Sequence, residues 1–228
     1  MATLEPIHDG LRAVLSEPWL LAGWAAAALV CAAIGWYDLR RNNPEIPPLM
    51  RIVWLFTIVY SGPLGLALYW VTGRKQIARD SLWRRAGRSV AHCYSGCGAG
   101  EIVGLVLTVG VLAAATWTVA LTTFALAYLF GLALTVGPLM EEGVGFRQAM
   151  KDGIASETAS ITVMEVTAIG VDLWLAGAAG IGDALFWGSM VLSLTAGLIA
   201  AYPVNALLIA FGVKEGMHDP REMAEHAG

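Results

Sequence analysis

Residues Ala91 to Glu101 read AHCYSGCGAGE. A histidine, two cysteines and a glutamate are set among three glycines, and strongly apolar sequence follows at once. At about 100° per residue, Cys93, Cys97 and Glu101 fall at i, i+4 and i+8, drift by only about 80°, and form one stripe along a helix. Gly96, Gly100 and Gly104 run beside that stripe, rotated by about 60°, and make a small-residue ladder against which a second helix can pack closely. The stretch therefore reads as a helix that holds ligand-type side chains at a tight interface. His92 lies about 100° from Cys93 and joins the group only from its flank.

The whole chain supports a membrane setting for that helix. Of its 228 residues 57% are hydrophobic and only 14% charged, with a mean hydropathy of +0.64. A water-soluble surface needs many more charges than this, so the expected fold is an all-α, polytopic integral membrane protein. Apolar runs of about 20 residues suffice to cross a hydrocarbon core of about 30 Å. Six are expected: Trp19 to Tyr37, Ile52 to Val71, two within Ser89 to Pro138 that turn near Ala114 to Thr116, Gly153 to Ala176, and Asp183 to Phe211. The division that follows is a tail over 1–18, two helices and a basic loop over 19–88, a four-helix core over 89–211, and a second tail over 212–228. The first apolar run lacks a positively charged leader, so it is expected to be retained rather than cleaved.

Six spans put both termini and the loops after the second and fourth helices on one side. Eleven of the fourteen Lys and Arg residues then fall there, and only Arg40, Arg41 and Arg51 on the other. By the positive-inside rule both termini are expected in the cytoplasm of a bacterial inner membrane. The basic loop RKQIARDSLWRRAGR (74–88) reads as a topology anchor, and no nucleic-acid partner is expected. The lipid bilayer is the expected partner, and homo-oligomerisation is left open.

The fifth expected helix carries Glu157, Glu165 and Asp172 at angular offsets of about 0°, 80° and 60°. Counted from the expected starts at Ser89 and Gly153, Glu101 and Glu165 lie at the same depth. Ionisable groups inside a membrane are functional candidates by default. Tyr202, Pro203 and Asn205 lie on the last helix, which runs back toward the level of Cys93 and Cys97, and His218 follows in the tail. Glu141 and Glu142 read as a solvated helix end, and Cys31 as a packing residue.

The segments HCYSGCGAGE, KDGIASETASITVMEV and AAYPVNALLIAFGVKEGM together resemble a family of small bacterial and archaeal membrane proteins known as a domain of unknown function. Its members are often labelled copper oxidase. The resemblance covers about Ala91 to Met217, and it rests on His92, Cys93, Cys97, Glu101, Tyr202, Pro203 and Asn205. A label of that kind implies metals and gives no mechanism.

The residues favour a metal-ion transporter or channel over an enzyme. Thiolate and imidazole select soft or borderline ions, so copper or zinc is the expected ion, with protons as the other transported species. His92, Cys93, Cys97 and Glu101 would be the metal ligands, and Glu157, Glu165, Tyr202, Asn205 and His218 the ion pathway. The alternatives are a membrane dithiol oxidoreductase using Cys93 and Cys97, or a non-catalytic assembly subunit. No phosphate-binding GxxxxGK[ST], HExxH or GxSxG motif is present, which leaves no support for ATP-driven transport or hydrolysis.

Overall fold

In a computed structural model the chain is all-helical over the residues described, 5–217 and 219–222. The helices are α1 (Glu5–Leu15), α2 (Pro18–Arg41), α3 (Pro48–Ser61), α4 (Pro63–Thr72), α5 (Leu82–Leu105), α6 (Thr116–Glu141), α7 (Phe146–Leu175) and α8 (Ala184–Ala210). A π-helical stretch, Val106–Val111, extends α5. Prolines in the first turns of α2, α3 and α4 start those helices where no intrahelical N–H partner exists anyway. The Ser81 hydroxyl caps α5 by accepting from the Arg84 backbone N–H at 3.3 Å.

Five of these helices, α2 and α5 to α8, are long and apolar enough to cross a membrane. This corrects the expected count of six. The run from Ile52 to Val71 is broken at Gly62 and Pro63 into helices of 14 and 10 residues, each too short to span alone. Gly62 sits at φ +54° and Pro63 offers no N–H, so the helix stops and the chain turns back. α4 returns along α3: the Trp54 and Tyr69 rings meet at 5.3 Å between centroids, and Gly65 packs on the backbone of Ile58.

The pair is thus a re-entrant hairpin whose two outer ends share one side. Irregular backbone at membrane depth is tolerated where protein covers it. The tip meets that condition, with the Trp24 ring over Gly62 and the Ser61 hydroxyl donating to Tyr94 Oη at 2.8 Å. At the outer end, buried Asp38 of α2 accepts from Tyr69, Asn42 and Asn43 and pairs with Arg74. Arg88 of α5 binds both Asp80 oxygens and the carbonyls of Thr72 and Met217.

These contacts gather the end of α2, both ends of the hairpin, the start of α5 and the segment after α8 at one end of the bundle. α1 lies at the other, where Arg12 donates to the Leu175 carbonyl at 2.7 Å, His8 to that of Trp174 at 2.9 Å, and Leu15 packs on Gly188. The expected arrangement with both ends of the chain on one side is therefore corrected, because one span fewer puts α1 opposite the residues that follow α8. Thirteen of the fourteen Lys and Arg residues, all but Arg12, now lie toward a single end. The charge bias is sharper than under six spans.

α5 and α7 both begin seven residues before the expected starts, at Leu82 and Phe146. The equal shift leaves Glu101 and Glu165 equally far along their helices from the observed starts.

A labelling experiment separates the two topologies. Ser16→Cys is expected to react with an impermeant maleimide from one face of sealed vesicles, and Asn42→Cys and Glu142→Cys only from the other; the three native cysteines are buried. Labelling of positions 16 and 142 from the same face would contradict the five-span bundle.

Candidate functional site

α5 is enclosed on nearly every side, packed by α3, α4, α6, α7 and α8. The glycine ladder sets how closely α6 approaches. A Cβ on Gly96 would lie 2.9 Å from Gly131 Cα, one on Gly100 would lie 2.6 Å from Ala127 Cα, and one on Gly104 would lie 2.8 Å from Thr123. Gly131 in turn leaves room for the Cys97 sulfur. The glycines therefore draw in α6, while the carboxylates come from α7 on another flank of α5.

Cys93 and Cys97 are free and buried, with their sulfurs 3.8 Å apart. One helical turn on, Glu101 is 1% exposed, and Glu165 of α7 is fully buried. The two carboxylates lie within electrostatic reach of each other, and Glu165 stands beside the Cys97 thiol. Apart from the Cys97 thiol, the Glu165 carboxylate has no hydrogen-bond partner among the described residues, nor does Glu101 Oε2. Farther from the basic end, Asp172 comes within electrostatic reach of Glu101 and accepts from the Ser189 hydroxyl at 2.9 Å.

Toward the basic end the same line continues through polar contacts. The Ser160 hydroxyl lies 3.8 Å from Cys93 Sγ and accepts from Asn205 Nδ2 at 2.6 Å. Asn205 Oδ1 accepts from Ser89 and from the Lys214 ammonium, both at 3.1 Å. Lys214 also holds Glu157, at 2.7 and 2.8 Å from its two oxygens, and Thr135 donates to Glu157 at 3.2 Å. Groups from α5, α6, α7, α8 and the following segment thus form a polar line from Lys214 to Asp172.

The structure brings together Cys93, Cys97, Glu101, Glu157, Glu165 and Asn205. His92 is buried within electrostatic reach of Glu157 and Lys214, with its Nδ1 unpartnered. Tyr202 does not join them: its hydroxyl donates to the Trp83 carbonyl and its ring stacks on Trp83 at the outer surface. His218 lies outside the described residues. Among the described residues no three His, Cys, Asp or Glu side chains stand together in a way that could hold one metal ion.

Sequence reasoning missed Lys214, Ser160, Ser89 and Thr135. Single hydroxyls in apolar helices carry no spacing signal, and Lys214 stands beyond the last helix, where a lysine is ordinary. Asp172 had a signal, its shared face with Glu157 and Glu165.

Close packing at the ladder is testable. Gly100→Val is expected to destabilise the purified protein by about 1–3 kcal/mol or more through overpacking. Gly170→Ala, at a helical position with open space, is expected to be neutral or to stabilise by roughly 0.5–1 kcal/mol. Equal melting temperatures for the two variants would contradict the ladder's role.

A model of a domain of unknown function, DUF4396, matches residues 82–214. No curated protein and no solved structure matched the chain. The matched span begins at the first residue of α5 and ends at Lys214, so it contains all four core helices and every residue of the polar line. The chain belongs to the DUF4396 family.

Proposed function

We propose that the protein is a membrane transporter or channel for protons or small cations, and that the line of Glu157, Cys97, Glu165, Glu101 and Asp172 is its pathway. The observation that carries this reading is Glu165, fully buried, with the Cys97 thiol beside it and a second carboxylate, Glu101, rather than a cation within electrostatic reach. A charge at membrane depth is strongly penalised unless it is neutralised. A pair of buried carboxylates with no resident counter-charge among the described residues serves a mobile cation or proton far better than it serves packing. Along α7, Glu157, Glu165 and Asp172 are spaced by about 12 Å and about 10 Å of helical rise, which distributes acceptors over most of a bilayer core.

The thirteen basic residues at one end support a cytoplasmic position for that end by the positive-inside rule, and the membrane we propose is a bacterial inner membrane. α1 would then face the opposite compartment. Copper and zinc are the metal cargoes that the thiols would favour, so both belong in the panel of tested ions.

One observation favours a second reading, a dithiol oxidoreductase: the two sulfurs are 3.8 Å apart on adjacent helical turns. Such an enzyme would depend on both cysteines and be indifferent to Glu165.

Flux into proteoliposomes decides between them, measured for protons, ammonium, potassium, copper and zinc. Glu165→Gln and Glu101→Gln are each expected to reduce flux by roughly tenfold or more while the protein remains folded, because the amide keeps the shape but cannot carry a charge or a proton. Undiminished flux in Glu165→Gln would overturn the proposal. Thiol-dependent electron transfer that survives that substitution would establish the second reading.

A further inference from the structure

The ion pair at the basic end has the composition of an occupied cation site. An ammonium group has three N–H donors, and each of those on Lys214 meets one oxygen: Glu157 Oε1 at 2.7 Å, Glu157 Oε2 at 2.8 Å and Asn205 Oδ1 at 3.1 Å. The acceptors are oriented by groups other than Lys214. Thr135 donates to Glu157, and Ser89 donates to Asn205 Oδ1. Asn205 Nδ2 is committed to Ser160 and to the Ala201 carbonyl, at 2.6 and 3.0 Å. Those two bonds fix the side-chain amide so that its oxygen must face the ammonium.

The three oxygens belong to α7 and α8, two core helices. The cation does not: Lys214 stands in the non-helical segment after α8, between Gly212 and Gly216, both at positive φ. Its ammonium is nonetheless almost buried, with the side chain 10% exposed.

We infer that Glu157 and Asn205 form a binding site for a monovalent cation of ammonium or potassium size at the cytoplasmic mouth of the pathway, and that Lys214 fills this site as a tethered substitute for the cargo. Its place in transport rests on the proposed function above, whereas the site itself rests on the geometry of the ion pair. Oxygen donors alone suit hard cations rather than copper or zinc. The single carboxylate balances one positive charge, and a divalent ion would leave a buried excess. Ser160 bonds to Asn205 and touches Cys93, so a cation that displaced Lys214 would stand at the start of the polar line. Displacement of the Lys214 side chain alone would open the site, since the backbone of Val213 and Lys214 is bonded to the Leu208 carbonyl and that of Met217 to Arg88.

Removing Lys214 leaves a buried carboxylate unpaired, which destabilises the fold until a cation replaces the ammonium. The test compares thermal unfolding of detergent-purified protein in ammonium, potassium and sodium chloride with choline chloride at equal ionic strength. Lys214→Met is expected to melt below wild type in choline and to recover by about 4 °C or more at saturating ammonium or potassium. Wild type is expected to show no such preference, because its site is filled. The double variant Glu157→Gln/Lys214→Met, which removes both charges, is expected to melt at one temperature in all four salts. Lys214→Gln provides the same comparison if the methionine variant accumulates poorly. Identical melting of the Lys214 variants in all four salts would overturn the inference, as would a cation preference that persists in the double variant. A cation-dependent melting temperature in a protein whose flux ignores Glu165→Gln would keep this site and reject the transport reading.

Discussion

The constraint on which the bundle depends is the enclosure of α5. A helix that carries Arg88, His92, Cys93, Cys97 and Glu101 through a bilayer cannot present them to lipid, since an unpaired polar group there costs several kcal/mol. Protein must therefore cover it on almost every side. α6 does so through the glycine ladder, α7 and α8 through their inward polar faces, and the α3–α4 hairpin through Thr57, Ser61 and Tyr60, which meet Ala91, Tyr94 and Gly98. Five crossing helices and a re-entrant hairpin follow from the need to hide one polar helix.

The same enclosure creates the chemical asymmetry of the site. At the basic end the charges that pack into the bundle are matched: Arg88 by Asp80, Lys214 by Glu157, Arg74 by Asp38. Deeper in, matching stops, and Glu101 and Glu165 lie within electrostatic reach of each other with no counter-charge paired to either among the described residues. Well-paired charges hold this end and the hairpin together, and under the proposed function the carboxylates without a counter-charge are those that exchange with a mobile species. A uniformly paired interior would be easier to explain as structure alone.

Much of this was legible in the sequence. Hydropathy gave the long helices to within a few residues at most ends, and helical periodicity placed Cys93, Cys97 and Glu101 on one stripe and Glu157 and Glu165 on another. Glu101 and Glu165 remain equally far from their helix starts because α5 and α7 were each begun seven residues late, so the two errors cancelled. The hairpin was misread although Ser61, Gly62 and Pro63 carried a turn signal. Hydropathy averages over such a break, and the 20-residue apolar run from Ile52 to Val71 looks like a span whether the chain crosses or returns. Tyr202 was misplaced because its neighbour Asn205 faces the core and a shared motif does not mean a shared face. Lys214 was invisible for a different reason: its partners Glu157 and Asn205 are brought to it only by tertiary packing.

The central claim is that Glu101 and Glu165 exchange protons or cations with the surrounding solution. Infrared difference spectroscopy of the protein in lipid nanodiscs tests this most directly, with carboxyl bands assigned through the Glu101→Gln and Glu165→Gln variants. The account predicts that both bands change reversibly when pH or cation is switched in the bulk and shift on transfer to deuterated buffer. Bands that stay fixed under all three changes would show a sealed interior and contradict it.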